Sequence, residues 1–495
     1  MKHLLLAYVF LASLVLSFSA FGQDEEEFKK WKNEEDAKFQ QFKDKNDQAF
    51  YEFLKHEWRG VDMFRGVQRD PIPDPVKLPV YTPPKNQPRP VAPTTPAVTL
   101  AQPTPAIPPK PVEAPAPSPV EAPAPPPDAA SIDFYGADIS VPLPSELAVK
   151  LHGDPGKESI SGYFAAMAGR PYDRVLHAAT SIRTARRLND WGYCLLLASI
   201  GRKMYGSMSN ETVLFTWFML LKSGYMAKVG FTGGQVFLLI PVDGRLFGVP
   251  YFSFGDSQRF YAVPLDPKSP VEITQMYAYE GDYPGASTLM RFAVSELPSL
   301  TNSTASKSLQ FEYGGTTYTV PVTFSKDAVR FFEYYPQSDF PVYFDGSISP
   351  GAAGSLYAAF EPILKGKSEL EAVNVLLRFS QTAFGYKVDK ELFGREKPMF
   401  PDEVLYYSDS NCKDRAILFS YLVRALIRLE VVGLDYPGHI STAVMFSKDV
   451  PGDNIDYQGR RYTICDPTYI GADAGMCMPQ FKGVTPSVIP LKRPS

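Results

Sequence analysis

The sequence predicts an α+β chain built from several units. Three observations carry that expectation. A polar cap, Ser408 to Asn411, leads into an apolar run that is followed by alternating strand patterns. A fainter helix-then-strand order precedes it, and a constant shift of 204 lays the earlier stretch on the later one. A proline-rich stretch separates both from a charged N-terminal helix.

Residues 1–22 read as a signal peptide: Lys2 and His3, an apolar run from Leu4 to Leu16, then small residues. Ala20-Phe21-Gly22 fits a cleavage site that leaves Gln23 first. No cysteine stands beside it, which argues against a lipoprotein anchor. No later stretch is apolar enough to span a bilayer. The expectation is an exported protein, periplasmic or extracellular, without a transmembrane segment.

Residues 23–66 read as a charged amphipathic helix. Phe28, Phe39, Phe50 and Val61 repeat every 11 residues, as do Trp31, Phe42, Phe53 and Phe64. That period keeps one aromatic stripe on one face. Asp24 to Arg59 carries 11 acidic and 8 basic side chains, so it is not a basic membrane-binding helix. The stripe packs on its own protein, on a second copy in a coiled-coil-like self-association, or on another partner.

Residues 67–131 form a proline-rich linker with the near-repeat Pro-Val-Glu-Ala-Pro-Ala-Pro. An extended spacer of polyproline character is expected, removable with the helix before it.

Residues 132–267 carry helical patterns at Ile160–Gly169, Tyr172–Leu188, Asp190–Met204 and Thr212–Ser223, then strands at Gly234–Pro241 and Arg259–Val263. Under the shift of 204, Leu214-Phe215 falls on Leu418-Phe419 and Gly234-Gln235 on Gly438-His439. A slightly smaller shift puts Tyr261 on Tyr462 and Leu265 opposite Asp466. Two readings stand: a degenerate copy of the last domain, or chance similarity of two buried helix-plus-strand units.

Residues 268–353 read as a β-rich connecting region. Leu309–Tyr313 and Thr316–Phe324 flank Gly314-Gly315, a hairpin signal, and the rings from Phe331 to Phe344 read as core. Residues 354–495 form the last domain. One or two helices cover Leu356–Phe384, a loop-rich approach runs from Tyr386 to Tyr407, and the tail after Met478 reads as irregular.

The chemistry concentrates in that last domain. Cys412 sits in the first turn of its helix, where free amides and the dipole favour a thiolate. Of five histidines only His439 lies beyond the middle of the chain, at the head of a half-buried strand. Asp466 ends the next strand, where Pro467 blocks continuation. Cysteine, histidine and aspartate in this order form a nucleophile, base and orienter series. Taken singly, each has a plainer reading: a buried thiol, a core histidine, a turn aspartate.

With Cys-Lys-Asp-Arg-Ala at 412–416 and Asp-Pro-Thr at 466–468, the stretch Leu356–Pro479 resembles the transglutaminase-like superfamily of papain-like cysteine enzymes. Asn-Asp-Trp-Gly-Tyr at 189–193 is similar to secreted Bacteroidetes proteins carrying such domains. The resemblance implies a cysteine that opens the central helix, with histidine and aspartate on neighbouring antiparallel strands. Two residues depart from it. Ile440 stands where the family often has an aromatic residue, and Lys413 where animal cross-linking members have Trp. The second departure favours a peptidase- or amidase-type hydrolase over cross-linking.

In the mechanism this implies, His439 draws the proton from Cys412 and Asp466 holds the imidazole. The thiolate attacks an amide or ester carbonyl, and water or an amine resolves the acyl-enzyme. The Cys412 amide supplies part of an oxyanion hole, with Gln381 as a candidate second donor. The partner is then a protein or peptide substrate. The alternative is a non-catalytic secreted binding or scaffolding protein on the same fold.

Composition narrows the rest. A net charge of −4 gives no reason to expect a nucleic-acid partner. Four cysteines in 495 residues make no disulfide scaffold, and Cys465–Cys477 is the pair to check. No ligand spacing suggests a metal, and no motif suggests a cofactor.

Overall fold

A computed structural model describes residues 44–66, 78–82, 95–98, 100, 128–254, 258–266 and 272–492. The signal peptide, its cleavage site and the first part of the charged helix lie outside the described residues.

A helix over residues 44–56 opens the described chain, and strand β1 (Trp58–Asp62) follows. The helix therefore stops at residue 56, short of the expected residue 66. Gly60 weakens the helix there, and Trp58 to Asp62 gains a complete antiparallel partner instead. At Phe50, within the described residues, the aromatic stripe docks on the chain itself: this ring meets Phe164 edge-on at 5.1 Å and Tyr283 at 5.4 Å. A hairpin of β2 (Ala129–Phe134) and β3 (Ala137–Pro142) comes next. Helices Lys157–Ala168, Tyr172–Ala185, Asp190–Tyr205 and Asn210–Lys222 follow it.

Strands β4 (Lys228–Thr232), β5 (Gln235–Ile240), β6 (Tyr251–Phe254), β7 (Gln258–Val263) and β8 (Gln275–Tyr279) join β1 in a six-stranded sheet, order β1-β8-β4-β5-β7-β6. Phe64 and Tyr251 exchange backbone hydrogen bonds of 2.7 and 3.1 Å, so the sheet nearly closes into a barrel. Closure removes the edges an open sheet would leave.

Strands β9 (Thr304–Tyr313) and β10 (Thr316–Ser325) turn at Gly314-Gly315, both at positive φ, as a two-residue hairpin requires. The rings of Phe331, Phe332, Tyr335, Phe340, Tyr343 and Phe344 are core, and Phe332 stacks on Phe400 at 3.9 Å. Helices Pro350–Leu364 and Glu369–Thr382 come next. The short strands β11 (Gly385–Tyr386) and β12 (Asp409–Ser410) pair in parallel. Between them lie short helices Asp389–Phe393 and Pro401–Tyr406.

Helix Cys412–Ile427 leads into β13 (Glu430–Tyr436), β14 (His439–Met445), β15 (Asn454–Tyr457) and β16 (Arg460–Cys465). With β17 (Ser487–Ile489) they form an open sheet, order β15-β16-β14-β13-β17. The tail expected to be irregular thus supplies an edge strand.

The two sheets repeat one plan. Thr232↔Gln235 closes the β4–β5 hairpin as Tyr436↔His439 closes β13–β14. Leu238↔Val263 and Ile240↔Tyr261 recur as Thr442↔Cys465 and Val444↔Thr463. The shift is 204 on one strand and 202 on the other, so Pro264, not Leu265, stands opposite Asp466. Matching Tyr261 to Tyr462 moves the register by one, which would turn every side chain to the other face.

Candidate active site

The site is assembled from the start of one helix and the ends of two strands. Asn411 caps the Cys412 helix, and Asp414 reaches back to the Asn411 N–H at 3.0 Å. The other Asp414 oxygen accepts the Met399 N–H at 2.9 Å. Burial first, then the neighbouring Asp389 charge, push the Asp414 carboxyl up to about 7.

Lys413 is buried beside Cys412 and bridges Asp389 at 2.6 Å and Glu396 at 3.5 Å. Asp389 also accepts from Asn411 Nδ2 at 2.5 Å and the Lys397 N–H at 2.7 Å. The cation that departs from the animal cross-linking pattern therefore fastens the 389–397 loop to the first turn. Two positions on, the buried Arg415 guanidinium donates to Ser410 Oγ and to the carbonyls of Gln381, Phe384 and Gly385 at 2.8–3.2 Å. The Gln381 carbonyl lies in the last turn of the Glu369–Thr382 helix, where terminal acceptors need partners, and the other two lie just beyond its end.

His439 is set by the Pro437-Gly438 turn, with Gly438 at φ +73. Its Nε2 lies 2.8 Å from Asp466 Oδ2, and the Phe481 ring stacks on the imidazole at 5.0 Å and 6°. Its Nδ1 has no hydrogen-bond partner among the described residues. Burial works against the imidazolium, yet the Asp466 carboxylate, and after it the Cys412 sulfur, raise the ring to about 10. The three residues named by the sequence are therefore brought together, with Cys412 and His439 each 1 % exposed and Asp466 3 %.

Gln381 is placed differently from the expected oxyanion donor. Its Nε2 donates to Asp466 O and Ala472 O, each at 3.0 Å, and its Oε1 accepts the Gly471 N–H at 3.1 Å. Both amide protons hold the loop after Asp466. Asn374 and Arg378, on the same helix face, grip that loop through Ala474 and through Gly471 and Asp473. No motif marked these two residues, although their spacing with Gln381 is helical. Tyr386 was also missed: burial, then the charge of Cys412, push its hydroxyl upward, which places it beside the thiol.

All four cysteines are free. Cys465 packs with Leu376 and Phe419 in one core, whereas Cys477 packs with Tyr436 and Ile464 in another, which explains why the pair singled out for checking does not form. Among the described residues no cluster of three or more metal-ligating groups occurs. Nor is any described helix long and apolar enough to cross a membrane. A cavity of about 690 Å³ is lined by Phe134, Trp191, Arg202, Tyr335 and Arg395, and none of the three site residues lines it. In comparisons with known proteins, no family model, no curated protein and no solved structure matches this chain.

Proposed function

We propose that the chain is an exported cysteine-dependent acyl-transfer enzyme of transglutaminase-like type, acting as a peptidase or amidase. The single observation that carries this reading is the pairing of His439 with Asp466 beside the Cys412 sulfur at a helix start. A charged imidazole and a helix N-terminus together favour a thiolate on a neighbouring sulfur. The resting proton then sits on His439, so the ring begins as an acid.

The Cys412 sulfur attacks the carbonyl carbon, and main-chain amides at the helix start receive the oxyanion. His439 gives its proton to the leaving amine or alcohol as the carbonyl–nitrogen or carbonyl–oxygen bond breaks. A thioester remains. Neutral His439 next takes a proton from water, the hydroxyl adds to the thioester, and collapse breaks the carbon–sulfur bond, releasing the acid product and restoring the Cys412 thiolate beside protonated His439.

The near-complete burial of all three residues favours a second reading, a binding or scaffolding protein whose triad is closed. Iodoacetamide labelling near neutral pH, read at Cys412 by mass spectrometry, separates the two. Rapid labelling that is lost in His439→Ala supports the enzyme. Labelling no faster than an ordinary buried thiol supports the scaffold. Incubation with peptide and cell-wall libraries then identifies the substrate.

A further inference from the structure

Two pieces of the expected spacer are seated on the last domain. Tyr81 N donates to Ile470 O at 2.7 Å, and Ile470 N donates to Pro79 O at 2.9 Å, so residues 79–81 run parallel to the loop after Asp466. The Tyr81 ring meets Tyr469 edge-on at 5.8 Å. It packs in one cluster with Ala472, Met478 and Phe481, and Phe481 is the ring stacked on His439.

Residues 95–98 hold the start of the Glu369–Thr382 helix. Glu369 N donates to Pro96 O at 2.9 Å, Val98 N to Lys367 O at 2.9 Å, and Leu370 N to Thr95 Oγ1 at 3.1 Å. This helix carries Asn374, Arg378 and Gln381. The loop 466–474 is thus held both by a helix face and by the strand at Tyr81.

We infer that residues 79–81 are a working part of the site and that Tyr81 is a positioning residue, fixing the Asp466 loop and through it the His439 ring. The inference rests on the catalytic reading for its consequence, and on contacts alone for its placement. A proline-rich strand has little freedom to lose on docking, so it braces a loop at low entropic cost. A loop held by few backbone bonds opens locally. Misplacing a catalytic group by about 1 Å can cost on the order of 10²-fold in rate.

The groups facing His439 are Asp466 and Cys412, with the Tyr436 ring beside it and the Tyr386 phenol near Cys412 and Asp466. Only Asp466 lies on the loop that Tyr81 touches. Loosening that loop withdraws the carboxylate and lowers the titration midpoint of the ring. The test is made in the full chain with Tyr81→Phe, Tyr81→Leu and Tyr81→Ala, following His439 by NMR titration and Cys412 by iodoacetamide labelling against pH.

Tyr81→Phe keeps the ring and is expected to match the native chain. Tyr81→Ala and Tyr81→Leu are expected to lower the His439 midpoint by about 1 unit or more, the scale of a nearby opposite charge. The pH profile of Cys412 labelling should move with it. An unchanged midpoint in whichever of the two variants folds overturns the inference. A midpoint that moves while native Cys412 labels like an ordinary thiol leaves the inference standing and removes the catalytic reading.

Discussion

Gln381 donates to the main-chain carbonyl of Asp466 at 3.0 Å, one of three hydrogen bonds by which its buried amide holds the loop that orients His439. Replacing it strands buried carbonyls. Gln381→Ala is therefore expected to cost about 1–3 kcal/mol of stability, with activity falling through the displaced carboxylate. Gln381→Glu loses both donors and should be worse. Denaturant unfolding read alongside turnover checks this. Lost turnover with unchanged stability and an unmoved His439 titration would return Gln381 to the role of oxyanion donor.

Cys412→Ala is expected to keep the fold and lose turnover by on the order of 10⁴-fold or more, and His439→Ala by a similar factor, because such groups act as a unit. Removing the sulfur leaves a small void at a helix start, so the melting temperature should change little. Turnover of His439→Ala within a few-fold of native would show that another base is at work.

The pH dependence has a defined sign. The folded His439 ring is raised to about 10, above its ordinary value of 6.5, by Asp466 and then Cys412 against the opposing effect of burial. The stability it contributes is fully present below pH 6.5 and is lost as pH rises through about 10. The native chain should therefore exceed Asp466→Asn in unfolding midpoint most at pH 6 and least near pH 11. An advantage that grows with pH would contradict the pairing.

Lys413→Met is expected to destabilise by about 3–5 kcal/mol, because Asp389 would then lie buried without its cation. Adding Asp389→Asn should recover part of that loss, since the two residues share one interaction. If the double variant is no better than the sum of the singles, the pair is not coupled and the first turn is held by Asp414 and Arg415 alone.

What could be read from the sequence divides along a physical line. Local signals were legible: the cap before Cys412, the Gly314-Gly315 turn, and the helical periods read at 160–169 and 190–204, which fall on the helices Lys157–Ala168 and Asp190–Tyr205. Cys412, His439 and Asp466 were legible because each sits at an element end with its own local mark. Strands that owe their existence to distant partners were not. β1 pairs with β8 more than two hundred residues away, and the Tyr81 strand exists only because Ile470 offers a partner. Gln381 was misread for a related reason. A buried glutamine looks the same in sequence whether its amide faces a substrate or a loop.

The N-terminal helix and the proline-rich spacer were expected to be removable, and the fold gives reasons for the opposite outcome. Leu54 is fully buried and Phe50 lies among Phe164, Trp217, Tyr279 and Tyr283. Lys222, buried in the first unit, pairs with Asp47 of this helix. β1 covers the outer edge of β8, and Phe64 closes the sheet against Tyr251. Leu54→Ala alone is expected to cost about 2–5 kcal/mol. A chain starting at Ile132 would lose all of these contacts and leave two sheet edges open, so aggregation is expected. The damage should spread, because Ala416 and Ile417 of the Cys412 helix share a continuous core with the first unit. The check is thermal unfolding and limited proteolysis of the shortened chain, with His439 titration as the readout at the site. A cooperative transition at the native temperature would show that the barrel stands without its first strand.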